Sequence, residues 1–307
     1  MRHYLPEWLR VTLRWRGTVV PLIRGQVLFC SGFALLVTQF YHWDLPVAHN
    51  VLGSIIPGVV LGLLLVFRTN TAYERFWEGR KLWGTLVNTV RNLARQVCIS
   101  VKVGSPQELA AQMNCLRLLV AFAIAMKQHL RQVPLADAVA HLVDPAVNTE
   151  LQAVHNPPLD IAFRIGDYLE QQFIQGRLEL FQLTGMQMLL NMMVDSLGGC
   201  ERILKTPIPL AYAIHLRQLI LLYCLLLPAD LVDDLGWWTS PVIGIVSFAL
   251  FGIEGIGVEI ENPFGLDPND LPLDTICQTM ERNIDDLITL RGHTPLGKVL
   301  QASEPFG

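Results

Sequence analysis

Four ionisable residues sit where water is scarce: His215 and Arg217 inside one apolar stretch, Glu254 inside another and Glu259 at its end. A charge isolated in hydrocarbon is costly, so residues of this kind are paired or serve an ion path. Arg217 and Glu254 have opposite signs and either neutralise each other or line such a path. Asp267-Pro268-Asn269-Asp270 has the composition of a turn, and Asp274 stands where it would cap the helix that follows. A further feature carries no polar group. Val59, Leu63 and Phe67 recur at i, i+4 and i+8, which sets them in one stripe along a helix. The stripe either meets lipid or a neighbouring span, or it lines a central pore as a hydrophobic constriction that gates by wetting and dewetting.

The element that carries this stripe begins as Val51–Phe67, 17 residues without a charge, and passes into RTNTAYERFWEGRKLWGTLVNTVRNLARQV with no turn signal between them. At ~1.5 Å per residue such a run is just long enough to cross a thin hydrocarbon layer. Arg68, Arg75, Arg80, Lys81, Arg91 and Arg95 follow it, and the positive-inside rule puts that end in the cytoplasm. The whole chain agrees: of 307 residues, 51% are apolar and only 16% charged, against about 25% charged in ordinary soluble domains.

Four segments concentrate the apolar surplus, 25–41, 51–67, 210–228 and 237–258, and are expected to span the membrane. The connectors HWDLPVAHN and ADLVDDLG are short and poor in basic residues, so 68–209 and 259–307 are expected to be cytoplasmic, with both termini on that side. No secretory signal is expected at the N-terminus, because Arg10, Arg14, Arg16 and Arg24 interrupt its apolar residues. Trp8, Thr12 and Trp15 share one face there, suited to a helix lying in the headgroup region or to packing inside the protein.

Beyond the second span, Phe76, Trp83, Val90 and Val97 recur every seven residues, with Gly79, Leu86 and Leu93 three residues after the first three. This a/d seam, together with helical stretches over 107–133 and 157–205, predicts an all-α protein whose cytoplasmic helices extend the membrane helices. So much packing surface also argues for an oligomer. Gly58 and Gly62 form a small-xxx-small pair that allows close helix approach.

Several functions are disfavoured by the residues. Six single cysteines lack Cys-x-x-Cys spacing and read as core residues. A net charge of −4 without a compact basic patch gives no sign of nucleic acid. The GHTPLGK sequence at 292–298 resembles a phosphate loop, but Val299 replaces the required hydroxyl. Gly-x-Ser-x-Gly, His-Glu-x-x-His and dinucleotide fingerprints do not occur, so the chain is not read as an enzyme.

Several blocks together resemble the bestrophin family: WRG at 15–17, FRTNTAYERFWEGRKLWG at 67–84, GGCERI at 198–203 followed by TPIPLAY, and ENPFGLDPNDLPLD at 261–274. The resemblance implies an all-α integral membrane protein with four transmembrane helices per subunit and a helical cytoplasmic domain, assembled as a pentameric channel. It assigns Val59, Leu63 and Phe67 to the pore neck, where animal members carry larger side chains at the first two positions. A second constriction would lie on the helix before GGCERI, with Thr184 as its candidate. Animal members clasp calcium in an acidic run after NPFG; here that run is LDPND, so Asp267 and Asp270 are the residues that could ligate it. Two carboxylates suffice only if main-chain carbonyls and water supply the other oxygens, so the turn reading is preferred and little calcium dependence is expected. No cofactor is required on this reading.

The neck has no ring of charge from which to read selectivity. Phe67 rings presented edge-on favour an anion and face-on a cation. The family contains both chloride-type channels and bacterial members that pass monovalent cations. The wording LGLLLVFRTN is similar to plant members, so chloride is the expected ion and sodium the alternative, with a coupled transporter or a non-conducting scaffold as further rivals. The expected location is the plasma (inner) membrane, or a thylakoid membrane in a photosynthetic source.

Overall fold

A computed structural model describes residues 17–49, 55–135 and 137–293, and every regular element among them is a helix. The helices are α1 Val20–His42, α2 Ile56–Ser100, α3 Pro106–Leu130, α4 Pro145–Ala153, α5 Pro157–Ile174, α6 Leu180–Lys205, α7 Leu210–Leu235, α8 Thr239–Glu259 and α9 Leu273–His293. The Trp8, Thr12 and Trp15 face and most of GHTPLGK lie outside the described residues. The described residues form two compact units, those within 1–77 with 206–263 and 267–270, and those within 78–205 with 264–266 and 271–307.

The first unit joins α1, the beginning of α2, α7 and α8. Its core draws on all four, through Ile23, Cys30, Leu61, Leu65, Ile220, Cys224, Ile243 and Phe251. Small residues allow α1 and α8 to lie close. A Cβ on Gly244 would come 2.9 Å from the Ser31 hydroxyl, and one on Gly255 would come 3.2 Å from Ile23. The Ser240 hydroxyl also donates to the Ser31 carbonyl at 2.9 Å. Between α7 and α8 the chain turns at Gly236, whose φ of +50° suits glycine, and continues through one short 3₁₀ turn. Gly58 faces Tyr223 of its own chain, while Gly62 opens onto empty space. The small-residue pair is therefore used on one side within the subunit.

Among the described residues four stretches are long and apolar enough to cross a membrane: Val20–His42, Ile56–Ser100, Pro106–Leu130 and Leu210–Glu259, the last comprising α7 and α8. Three of them carry the four expected spans. The remaining one, α3, belongs to the second unit, and 67% of its apolar window is buried by its own chain, against 17–39% for the others. Its apolarity is accounted for by packing.

In the second unit, Trp83, Leu86, Val90, Leu93 and Val97 of α2 are all completely buried within one chain. The heptad seam thus packs inside the subunit, and it is not the surface that would join copies. The expected helix over 157–205 is two helices. Alpha-helix geometry ends at Ile174, Gly176 takes a φ of +70°, and α6 starts afresh at Leu180. The short α4 was not foreseen. At the start of α3, Ser105 accepts the Glu108 N–H while Glu108 accepts the Gly104 N–H at 2.7 Å, a reciprocal cap. Asp274 is not a cap: it sits inside the first turn of α9, and its carboxylate pairs with Lys127 at 2.8 Å and Arg131 at 2.9 Å. Lys127, and after it Arg131, holds that carboxyl below the usual range. All six cysteines are buried and free of disulfides.

Candidate functional site

Alpha-helix periodicity divides α2 into a face turned into the first unit and a face turned away. Leu61, Leu65 and Arg68 are buried, whereas Val59, Leu63 and Phe67 are 51%, 53% and 63% exposed. An aligned row of large apolar side chains left uncovered by its own chain marks a surface for lipid, a partner subunit or a pore. The same i+4 row continues through Thr71 to Arg75, so apolar character gives way to a hydroxyl and then a charge. The Thr71 hydroxyl donates to the Phe67 carbonyl at 3.0 Å, which leaves its methyl and an oxygen lone pair on the surface.

Directly behind Phe67 lies a polar hub that reading the sequence missed. Arg68, 1% exposed, donates from Nη2 to Glu261 Oε2 at 2.8 Å. The other Glu261 oxygen accepts the Ile208 N–H at 2.8 Å, and the Glu261 carbonyl accepts from Arg75 Nε at 3.2 Å. Arg75 also donates to the Thr206 carbonyl. Tyr212 Oη donates to the Leu64 carbonyl at 3.0 Å. The hub therefore ties the end of the apolar run on α2 to the starts of α7 and of the segment after α8. Its sequence signal was available: a basic residue, Arg68, directly follows one apolar run, and two acids, Glu259 and Glu261, follow another, at the ends that topology brings together.

Within the spans, Arg217 and Glu254 do pair, at 2.8 Å, with Glu254 buried and Arg217 more than half exposed. This satisfies the carboxylate and accounts for its presence in an apolar helix. His215 lies on an exposed part of α7. Glu259 accepts from Asn269 at 2.9 Å, and Asn269 also donates to the Gly17 carbonyl at 3.3 Å.

Asp267 and Asp270 are brought together by a turn. The Asp267 N–H donates to Asp270 Oδ2 at 2.7 Å and the Asp270 N–H returns to the Asp267 carbonyl at 3.0 Å. Hydrogen bonds internal to the turn explain its geometry without an ion. Among the described residues no cluster of three or more His, Cys, Asp or Glu is arranged to hold a metal.

Thr184 belongs to the second unit. It is exposed on a face of α6 with Phe181, Met188 and Met192, and its hydroxyl donates to the Leu180 carbonyl at 2.9 Å. With that donor occupied, the face is largely apolar.

A profile of the bacterial and fungal bestrophin proteins matches residues 1–286. The chain is 57% identical over 284 residues to a voltage-dependent anion channel-forming protein of Nostoc sp., covering 92% of each chain. It is 34% identical over 277 residues to one of Escherichia coli K12, covering 90% of each. The crystal structure of a bacterial bestrophin homologue from Klebsiella pneumoniae superposes with a TM-score of 0.79 at 31% identity, covering 87% of this chain and 98% of that one.

Proposed function

This chain belongs to the bacterial and fungal bestrophin family, and we propose from that premise that it forms a pentameric, chloride-conducting channel whose neck is Val59, Leu63 and Phe67. The observation that carries the proposal is the uncovered apolar row on α2, which stays more than half exposed among the described residues. Five copies of that row around one axis would make a ring with no groups to hold water, which opposes hydration until it widens. The spans are α1, the start of α2, α7 and α8, and the basic residues after Phe67 favour a cytoplasmic second unit. Thr184 and its apolar face on α6 would supply a second constriction.

Anion conduction is supported by the names of the relatives, each called an anion channel-forming protein. In this reading the Phe67 rings meet the axis edge-on, presenting partial positive charge. Reconstitution of purified protein tests it with two readouts. Mass in detergent corresponds to five subunits, and currents in asymmetric NaCl reverse near the chloride equilibrium potential. Reversal near the sodium potential would remove the anion claim, and a dimer or monomer as the sole species would remove the ring.

For calcium we propose no direct gating role, since Asp267 and Asp270 already serve each other's turn. Micromolar calcium then changes open probability little, and Asp267→Ala with Asp270→Ala leaves that response as it was. A calcium-stimulated current that disappears in the double variant would overturn this reading.

A further inference from the structure

A cavity of about 360 Å³ in the second unit is lined by Arg80, Gly84, Asn88 and Arg91 of α2 and by Thr275 and Thr279 of α9, with Val87 and Ile276 as its apolar wall. No acidic side chain lines it, so two guanidinium groups face it without a counter-charge. Arg80 and Arg91 are exposed, and neither takes part in a hydrogen bond or ion pair among the described residues, whereas Arg202, Arg164 and Arg177 of the same unit all do. Asp274, the nearest acid in sequence, is committed to Lys127 and Arg131.

Positions 80, 84, 88 and 91 follow one another at helical spacing, so their side chains share a face. Gly84 has a specific effect there: a Cβ on it would come 3.3 Å from Arg80 Nη1, so the missing side chain makes room for the guanidinium to lie along the helix. The Thr279 hydroxyl donates to the Thr275 carbonyl at 2.8 Å, which leaves the Thr275 hydroxyl and the Asn88 amide as additional donors.

We infer that this cavity binds a phosphate-bearing small molecule. Planar guanidinium groups match phosphate oxygens in paired hydrogen bonds, and hydroxyl and amide donors complete such a shell. The volume lies within the range of small-molecule pockets and exceeds what phosphate alone would fill, while Val87 and Ile276 offer an apolar surface to the rest of the ligand. Arg80 and Arg91 lie 13 and 24 positions beyond Phe67, where the apolar run ends, in a stretch rich in charged residues, which favours a free ligand over a lipid headgroup.

The test is calorimetric titration of the intact protein in lipid-free detergent with inorganic phosphate and with glycerol phosphate, at ionic strength matched by chloride. Saturable binding is expected, tighter for glycerol phosphate. Arg80→Gln with Arg91→Gln is expected to weaken it by about tenfold or more, because one charged hydrogen bond is worth about that factor and each glutamine keeps a neutral donor. Both side chains are exposed and without hydrogen-bond or ion-pair partners among the described residues, so the variant is expected to keep its melting temperature. Absence of saturable binding, or equal binding by the variant, overturns the inference. Binding that appears only with added anionic phospholipid also overturns it in favour of a headgroup site. A changed subunit number in the variant would mean instead that a second copy of the chain occupies the cavity. None of these outcomes depends on which ion the channel conducts.

Discussion

Replacing Leu63 and Phe67 together by alanine raises the current through reconstituted protein by about tenfold, the factor that corresponds to a barrier lower by ~1.4 kcal/mol. The two side chains are more than half exposed in the subunit, so their removal takes little from its core and the variant is expected to fold and assemble. What it does remove is apolar surface from the narrowest proposed ring. Water enters a constriction when wall contacts offset its lost neighbours, and alanine both widens the ring and reduces the unwetted area. Val59 remains, so the barrier falls without disappearing. Single-channel recording of the double variant beside the wild type is the measurement. An unchanged conductance and open probability in protein of the right mass would take this stripe out of the pore and assign it to lipid or to a neighbouring helix.

Glu261→Ala destabilises the protein by about 3–5 kcal/mol, the usual cost of leaving a buried charge without its partner. Arg68 is 1% exposed, and among the described residues its Nε and Nη1 find no hydrogen-bond acceptor, so the compensation its charge receives there is the 2.8 Å bond to Glu261. The substitution also deprives the Ile208 N–H of its acceptor. Thermal unfolding in detergent reads the effect. Glu261→Gln keeps an acceptor and should fall between the two. Arg68→Met combined with Glu261→Leu removes both charges and should recover most of the loss, because apolar replacement of a whole buried pair is often neutral. A melting temperature unmoved by Glu261→Ala would show that the pair contributes nothing. A double variant as unstable as the single would show that the hub matters through shape and not through charge.

Much of the site was legible because its determinants are local. The stripe at 59, 63 and 67 follows from the helical repeat, and the apolar runs follow from the thickness that a span must cross. Charge alone offers Arg217 and Glu254 as a pair or as part of an ion path, since neither is left in hydrocarbon without a partner at low cost, and the fold pairs them. Turn chemistry at Asp267 to Asp270 was similarly written in four adjacent residues.

The readings that needed revision concern which surfaces meet. A seven-residue repeat specifies that a helix has an apolar face but says nothing of whose side chains cover it, and here the seam from Trp83 to Val97 is covered by its own chain. Asp274 looked like a cap because a cap is a local device; its carboxylate instead reaches basic residues more than 140 positions away, Lys127 in the last turn of α3 and Arg131 just after it. The break at Gly176 depends on one left-handed backbone conformation that an otherwise helical pattern conceals. Arg68 and Glu261 lie 193 positions apart, and only the folded chain makes them one hub. By itself the sequence determined where helices form and which faces are apolar, because both depend on neighbours along the chain. Tertiary structure decided which apolar faces are buried and which charges are paired, because those energies depend on neighbours in space.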